Sequence, residues 1–156
     1  MKTYLLTFEQ KLPIPLAEAW DFFSSPLNLA KITPPEMQFK VTSKQTADTK
    51  IYPGMIITYT VSPILGIKLN WMTEITQMKE GEYFVDDQRS GPYAIWHHEH
   101  HFKEIKGGVL MTDILHYAIP FGPIGTLANQ LLVAKQVKKI FDYRTKAVND
   151  LFGVYK

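Results

Sequence analysis

Between residues 37 and 119 the sequence alternates short apolar segments with glycine and proline turns, and no amphipathic stretch of helical length interrupts it. Six strands fit this region, at about 37–45, 55–62, 67–78, 82–89, 94–104 and 109–119. Because the connections between these segments are short, consecutive strands are expected to pair as antiparallel hairpins. The chain is therefore predicted to be built around one antiparallel sheet.

Helical patterns lie on both sides of this region. Tyr4, Leu6 and Phe8 alternate with more polar residues as in a first strand, and residues 16–24 and the phrase "PLNLAKITPP" follow as two short helices. A long helix is predicted at about 124–152. Its apolar stripe comprises Leu127, Leu131, Ala134, Phe141, Val148 and Phe152. Such a helix is about 42 Å long at 1.5 Å per residue, so a small sheet must curl around it, and a ligand cavity can form between them.

Composition excludes several classes of protein. The chain has no cysteine, which excludes disulfides and thiolate chemistry. Its net charge is only +2, and the lysines between Lys135 and Lys146 are interleaved with acids, which argues against nucleic-acid binding. No apolar run reaches the length of a membrane span or of a signal peptide, so we expect a cytoplasmic protein without membrane insertion. Residues 1–156 are expected to form a single domain.

Five phrases along the chain resemble one known superfamily. They are "AWDFFSSPLNLAKITPP", "WMTEIT", "FVDDQRSGPYAIWHHEHHF", "MTDILHYAIPFGP" and "FDYR". Their sequence and order are similar to the START/Bet v 1 superfamily (SRPBCC, polyketide cyclase/dehydrase-like), and within it to the bacterial ligand-binding SRPBCC proteins. The resemblance implies an α+β helix-grip fold, in which a seven-stranded curved antiparallel sheet wraps around a long C-terminal helix, with two short helices after strand 1. It does not fix the function, because such proteins include lipid carriers, receptors, cyclases and hydrolases.

The phrase "WHHEHHF", from residue 96 to residue 102, divides into two sets in a strand, because residues two apart share a face. One set has aromatic residues at both ends and is predicted to face inward: Trp96, His98, His100 and Phe102. The other set is wholly polar and is predicted to face solvent: His97, Glu99 and His101. The cluster of histidines is therefore expected to be two separate groups.

Carboxylates are expected beside the inward histidines. Asp113 lies on an apolar strand face with Met111 and Tyr117. For the strand "YFVDDQR" the pattern leaves both faces open, either that of Tyr83, Val85 and Asp87 or that of Phe84, Asp86 and Gln88; the family resemblance favours the second. If Gln88 pairs with Trp96, Asp86 stands opposite His98. If Phe102 pairs with Val109 or with Met111, Asp113 stands opposite His98 or His100, respectively.

Three interpretations of this buried polar set stay open. The side chains can satisfy one another and fix strand register, or they can form the polar base of a ligand cavity. Alternatively His98 or His100 can act as a general acid or base oriented by Asp86 or Asp113. We expect a protein that binds a small hydrophobic or amphipathic ligand, lipid or polyketide-like, more than an enzyme. A cyclase, dehydratase or hydrolase and a regulatory protein-interaction module are the alternatives.

Neither a metal nor a cofactor is predicted. His98, His100 and Glu104 form an HxHxxxE pattern on one strand face, which resembles the cupin metal motif, but the later cupin glycine and histidine are missing. The outward His97, Glu99 and His101 are expected to lie at a solvated edge, where zinc would bind only adventitiously.

The expected ligand-binding residues combine the polar base with the aromatic and aliphatic wall. They are Asp86, Gln88, Trp96, His98, His100, Asp113, Tyr117, Tyr59, Trp71, Phe84, Met111 and Leu131. Ile57, Leu69 and Phe141 are expected to complete the wall. The family resemblance places the cavity gate at "SPLNLAKITPP" and "IPFGPIG", and we expect Arg144 to form an ion pair at the helix end.

Overall fold

The sheet has seven antiparallel strands and is followed by a long helical segment. A computed structural model describes residues 1–44, 49–62 and 66–156, with the side chain of Gln130 excluded. The strands are β1 (Thr3–Leu12), β2 (Lys40–Val41), β3 (Ile56–Val61), β4 (Leu69–Lys79), β5 (Tyr83–Ser90), β6 (Ile95–Ile105) and β7 (Gly108–Ala118). Their order across the sheet is β1-β7-β6-β5-β4-β3-β2. The predicted α+β helix-grip architecture is confirmed.

The segment after β1 forms the short helices that the sequence predicts. They are α1 (Leu16–Phe23) and two 3₁₀ helices, Pro26–Ile32 and Pro35–Met37. The predicted strand at 37–45 is much shorter, since only Lys40–Val41 pairs, and residue 45 lies outside the described residues. Two physical features explain the correction. Pro35 starts a 3₁₀ turn, and Gln38 has a left-handed φ of 47°, which is incompatible with an extended strand.

The C-terminal helix is interrupted by a π-helical turn. It runs as α2 (Gly122–Ala128), the π turn Asn129–Val133 and α3 (Ala134–Phe152). A π turn adds one residue to a helical turn, so the side chains of α2 are rotated about the helix axis relative to those of α3. The prediction that Leu127 and Leu131 face inward is therefore wrong, and these side chains are 56% and 59% exposed. Within the described ranges, no helix has the length and apolarity needed to cross a membrane.

The core lies between the inner sheet face and the helices α1 and α3. Trp20 of α1 packs edge-on against Phe84 and Phe102, with ring centroids 6.0 and 5.6 Å away. Phe141 of α3 stacks on Phe8 of β1, with ring centroids 3.9 Å apart. These contacts hold α1 against β5 and β6 and α3 against β1, so both helices pack on the inner sheet face.

Candidate functional site

The strand register brings two histidines and two aspartates together on the inner sheet face. Asp86 of β5 is opposite His98 of β6, as expected from the predicted turn. Phe102 pairs with Met111, so Asp113 of β7 stands opposite His100 and not opposite His98. The second of the two registers considered for this hairpin is therefore the one present.

Asp113 holds both imidazole rings. Its Oδ1 accepts hydrogen bonds from Nε2 of His98 at 2.9 Å and from Nδ1 of His100 at 2.8 Å. The Asp113 side chain is 2% exposed, so few waters can replace these partners. Because one ring nitrogen of each histidine is bound here, the orientation of both rings is fixed.

Asp86 closes the network from the opposite side. Its Oδ2 lies 3.0 Å from Nε2 of His100 and 3.7 Å from Nδ1 of His98. Both nitrogens of His100 therefore face carboxylate oxygens within hydrogen-bonding distance, which suits a doubly protonated imidazolium. His98 has a single short contact, to Asp113, which suits a neutral ring with its proton on Nε2.

The pKa shifts of the two rings agree with these protonation states. Burial opposes the charged form of His100, but hydrogen bonds to Asp113 and Asp86 outweigh burial and raise its pKa. Burial and the neighbouring charge of His100 together lower the pKa of His98. The arrangement thus favours one buried cation between two carboxylates, with the second ring neutral.

Both carboxylates are held in the charged form. Burial raises the pKa of Asp86, but the hydrogen bond from His100 and electrostatic interactions with His98, His100 and Arg144 bring it below the ordinary value. Burial likewise opposes ionisation of Asp113, yet its two hydrogen bonds to the histidines hold its pKa far below the usual range. The network is therefore an ionised cluster and not a set of neutral groups.

A cavity of about 80 Å³ lies beside this network, between the first 3₁₀ helix and strands β3 to β5. Its walls are mainly aliphatic and aromatic. The lining residues include Phe22, Phe23, Leu29, Ile32, Phe39, Ile51, Ile57, Tyr59, Ile75 and Phe84. Three charged side chains form a polar wall: Asp86, His100 and Arg144. The cavity is thus apolar over most of its surface and charged at one side.

Arg144 does not form the ion pair that the sequence led us to expect. Its side chain is buried, with the residue 9% exposed, and among the described residues it takes part in no ion pair. Its Nε has no hydrogen-bond partner. The guanidinium carbon lies 4.9 Å from the ring centroid of Phe141. Arg144 forms no ion pair with surface acids because it lies on the buried stripe of α3, with Val137 and Phe141, and not on the solvent side.

Four of the expected ligand-binding residues line this cavity: Tyr59, Phe84, Asp86 and His100. His98 and Asp113 lie behind this lining, where they hold His100 in place. Leu131 is on the exposed face of the helix and does not line the cavity. Ligand binding by any of them stays a prediction.

The other expected residues make protein contacts in the structure. Gln88 closes the turn between β5 and β6, where its amide Nε2 donates to the carbonyl of Tyr93 at 2.6 Å. Trp71 and Trp96 pack edge to face, with centroids 5.2 Å apart. Tyr117 donates its hydroxyl hydrogen to Oδ1 of the buried Asn129 at 3.0 Å. Met111 packs in the core below the network.

Sequence reasoning missed two polar groups of the cavity, Arg144 and Ser24. The Ser24 hydroxyl is buried, lines the cavity and has no hydrogen-bond partner in the described part of the chain. Arg144 left a signal in the sequence, because it stands at helical spacing from Phe141 and Val148 within an apolar stripe. Ser24 left none, since a serine after a helix ordinarily indicates a loop.

The predicted gate segments differ in position. The segment "SPLNLAKITPP" lines the cavity through Ser25, Pro26, Asn28, Leu29 and Ile32. The segment "IPFGPIG" instead borders a separate apolar hollow of about 380 Å³ on the other side of the helix start. Of the two predicted gate segments, only the first lines the cavity with the charged wall.

The outward polar set forms its own network on the opposite sheet face, as predicted. His97 Nδ1 lies 2.7 Å from Oδ1 of Asp87, and His101 Nε2 lies 2.8 Å from Oε2 of Glu99. These side chains are 23% to 39% exposed, so they are half-buried rather than fully solvated. Glu104 is exposed and stands apart from the two inner histidines.

Asp86, His98 and His100 could together hold a metal ion. One oxygen or nitrogen from each lies within 4.8 Å of the others, a donor set of two imidazoles and one carboxylate. Asp113 binds the other nitrogen of both rings, which is the arrangement that orients metal-binding histidines. The same atoms also satisfy one another directly, so the geometry does not require a cation.

The overall structure is similar to several solved structures. Protein CV1439 from Chromobacterium violaceum has a TM-score of 0.70 and 16% identity, over 97% of this chain and 98% of that one. Major latex-like protein 151 from Panax ginseng has a TM-score of 0.68 and 13% identity, over 96% and 97% of the two chains. Protein Ms6760 from Mycobacterium smegmatis gives 0.65 and 17%, over 97% and 98%. These likenesses show a Bet v 1-like helix-grip fold. No family model matches the sequence, and no curated protein matches it.

Proposed function

We propose that the protein binds a small amphipathic molecule, lipid or polyketide-like, in the cavity beside the charged network. The observation that carries the proposal is one cavity with an apolar wall and an ionised wall. Ile57, Ile75 and Phe84 bury an apolar body, while Asp86 and His100 offer polar contacts to one end of it. Such a combination is typical of small-molecule sites, in which apolar burial gives affinity and a few polar groups give orientation.

The polar wall supports binding because it is rigid before a ligand arrives. His100 is held from behind by Asp113, so its ring cannot turn to follow a ligand. Groups that are already oriented lose little conformational freedom on binding, which favours affinity and specificity. The wall is therefore suited to recognising one end of a molecule.

The size of the cavity limits the ligand. A volume of about 80 Å³ is well below the roughly 300–1,000 Å³ of pockets that hold drug-sized molecules. We therefore expect a short or slender ligand, or an outward movement of the 3₁₀ helix Pro26–Ile32 on binding. Asn28 and Leu29 of this helix line the cavity and are only half-buried, so we expect the entrance there.

Calorimetric titration of the delipidated protein with 1-octanol tests the proposal. We expect saturable binding at one site. The variant Leu29→Trp, which fills the entrance, should abolish it, whereas Leu5→Trp on exposed β1 should leave it unchanged. If the unaltered protein does not bind 1-octanol and native mass spectrometry of the purified protein finds no bound small molecule, the proposal is wrong.

A further inference from the structure

Among the described residues, the cation at the cavity wall has neither an ion pair nor a hydrogen bond. Arg144 lines the cavity and is 9% exposed, and its Nε has no hydrogen-bond partner. Within the described part of the chain, no carboxylate lies within ion-pairing distance of its guanidinium. Burial of a charged group is unfavourable unless hydrogen bonds and an opposite charge compensate it. The buried charge of Arg144 is therefore energetically unfavourable, and an anionic ligand that pairs with it would reduce this cost.

The nearest carboxylate of the wall does not relieve it. Asp86 attracts Arg144 electrostatically, but its Oδ2 is engaged by His100 at 3.0 Å. The guanidinium carbon lies 4.9 Å from the ring centroid of Phe141, and this cation–π contact does not use the N–H donors for hydrogen bonds. These donors are fixed in a fork that matches two oxygens of a carboxylate or similar anion.

A second unpartnered group lines the same cavity. The hydroxyl of Ser24 is buried, with the residue 3% exposed, and has no hydrogen-bond partner. Buried polar groups in native proteins are nearly always hydrogen-bonded, so two such groups in one small cavity point to a missing polar molecule. Both can donate to oxygen.

We propose that the ligand of this cavity carries an anionic head group, a carboxylate in the simplest case, which Arg144 binds. The inference rests on the proposed ligand-binding function and adds the chemical class of the ligand. The head group accepts hydrogen bonds from the Arg144 guanidinium. A head group that extends to Ser24 also accepts a hydrogen bond from the Ser24 hydroxyl. The apolar body then lies among Ile57, Ile75 and Phe84.

A matched pair of ligands tests the inference, because octanoate and 1-octanol share a chain and differ in head group. Both are titrated calorimetrically into the unaltered protein and into Arg144→Gln. Arg89→Gln is the control, because Arg89 is an exposed arginine that pairs with Glu74 away from the cavity. We expect octanoate to bind at least about tenfold more tightly than 1-octanol, the scale of one charge-assisted contact. Arg144→Gln should remove this preference, and Arg89→Gln should retain it.

The outcomes separate the two proposals. If 1-octanol binds as well as octanoate, or if Arg144→Gln keeps the preference for octanoate, the anionic head group is excluded while ligand binding stands. If neither compound binds the unaltered protein, the ligand-binding function itself fails. If Arg144→Gln does not fold, the test uses Ser24→Ala and the two compounds on the unaltered protein. Equal affinities for octanoate and 1-octanol then overturn the inference.

Discussion

His100 and Asp113 face each other across β6 and β7, with Nδ1 of the imidazole 2.8 Å from Oδ1 of the carboxylate. This contact turns the other ring nitrogen towards Asp86, 3.0 Å away, at the wall of the cavity. Asp113 thus acts behind the cavity surface as a positioning residue. The charge and orientation of the polar wall depend on it.

Replacing Asp113 with asparagine should destabilise the protein strongly. The substitution removes the negative charge that compensates a buried imidazolium, a change that typically costs about 3–5 kcal/mol. Urea unfolding followed by circular dichroism measures the difference in the free energy of unfolding.

The outer sheet face offers a matched control. Asp87→Asn removes the carboxylate that accepts from His97 at 2.7 Å, but this pair is 33% and 23% exposed. Water can replace the lost contact, so we expect a cost of about 0–1 kcal/mol. Equal costs for the inner and outer variants would contradict the account of the inner network.

The two inner histidines should titrate in opposite directions from the ordinary value of 6.5. The pKa of His100 is raised, so its contribution to stability is complete below pH 6.5 and is lost as pH rises through the folded-state pKa. The pKa of His98 is lowered, so this residue reduces stability as pH falls below 6.5 towards its folded-state pKa. Proton and nitrogen NMR of the two imidazole rings measures both pKa values. A pKa of His98 above that of His100 would contradict the assignment.

Replacing Arg144 with methionine should leave stability nearly unchanged or increase it. The arginine has no ion pair among the described residues, so its removal eliminates a buried charge that no contacting carboxylate compensates. Thermal unfolding of Arg144→Met measures the effect. Because deletion of one partner of a buried ion pair costs about 3–5 kcal/mol, a loss of that size would show that Arg144 is paired in solution.

Removal of metal should leave the structure intact. The donor atoms of Asp86, His98 and His100 face one another or Asp113, and these contacts persist without a cation. Dialysis against EDTA is expected to change neither the melting temperature nor the affinity for 1-octanol. Titration with Co²⁺ gives the contradicting outcome. Visible absorption bands that vanish in His98→Ala but not in His97→Ala would identify a metal site in the inner network.

Periodicity was sufficient to divide the histidines between the two sheet faces. Side chains alternate strictly along a strand, so the inward direction of His98 and His100 follows from their aromatic neighbours. The pairing partner was harder to predict, because one turn shape places Asp113 opposite His98 and another places it opposite His100. Family resemblance was needed to choose the face of Asp86.

The helix shows where sequence reasoning fails. A constant period of 3.6 residues puts Leu131 on the buried stripe, but the π turn Asn129–Val133 shifts the phase before α3. An argument from periodicity assumes an uninterrupted α-helix, so it cannot predict the change of helical phase at a π turn. The π turn does not explain Arg144, because its spacing from Phe141 and Val148 lies wholly within α3; an arginine on an apolar stripe was instead expected to form an ion pair at the helix end.

A crystal structure of the protein with octanoate tests the central claim most directly. The account predicts density for the ligand in the cavity between the 3₁₀ helix Pro26–Ile32 and β3 to β5, with its carboxylate within hydrogen-bonding distance of the Arg144 guanidinium and its chain against Ile57 and Phe84. A structure in which this cavity stays closed by side chains, or in which the carboxylate lies away from Arg144, would contradict the claim.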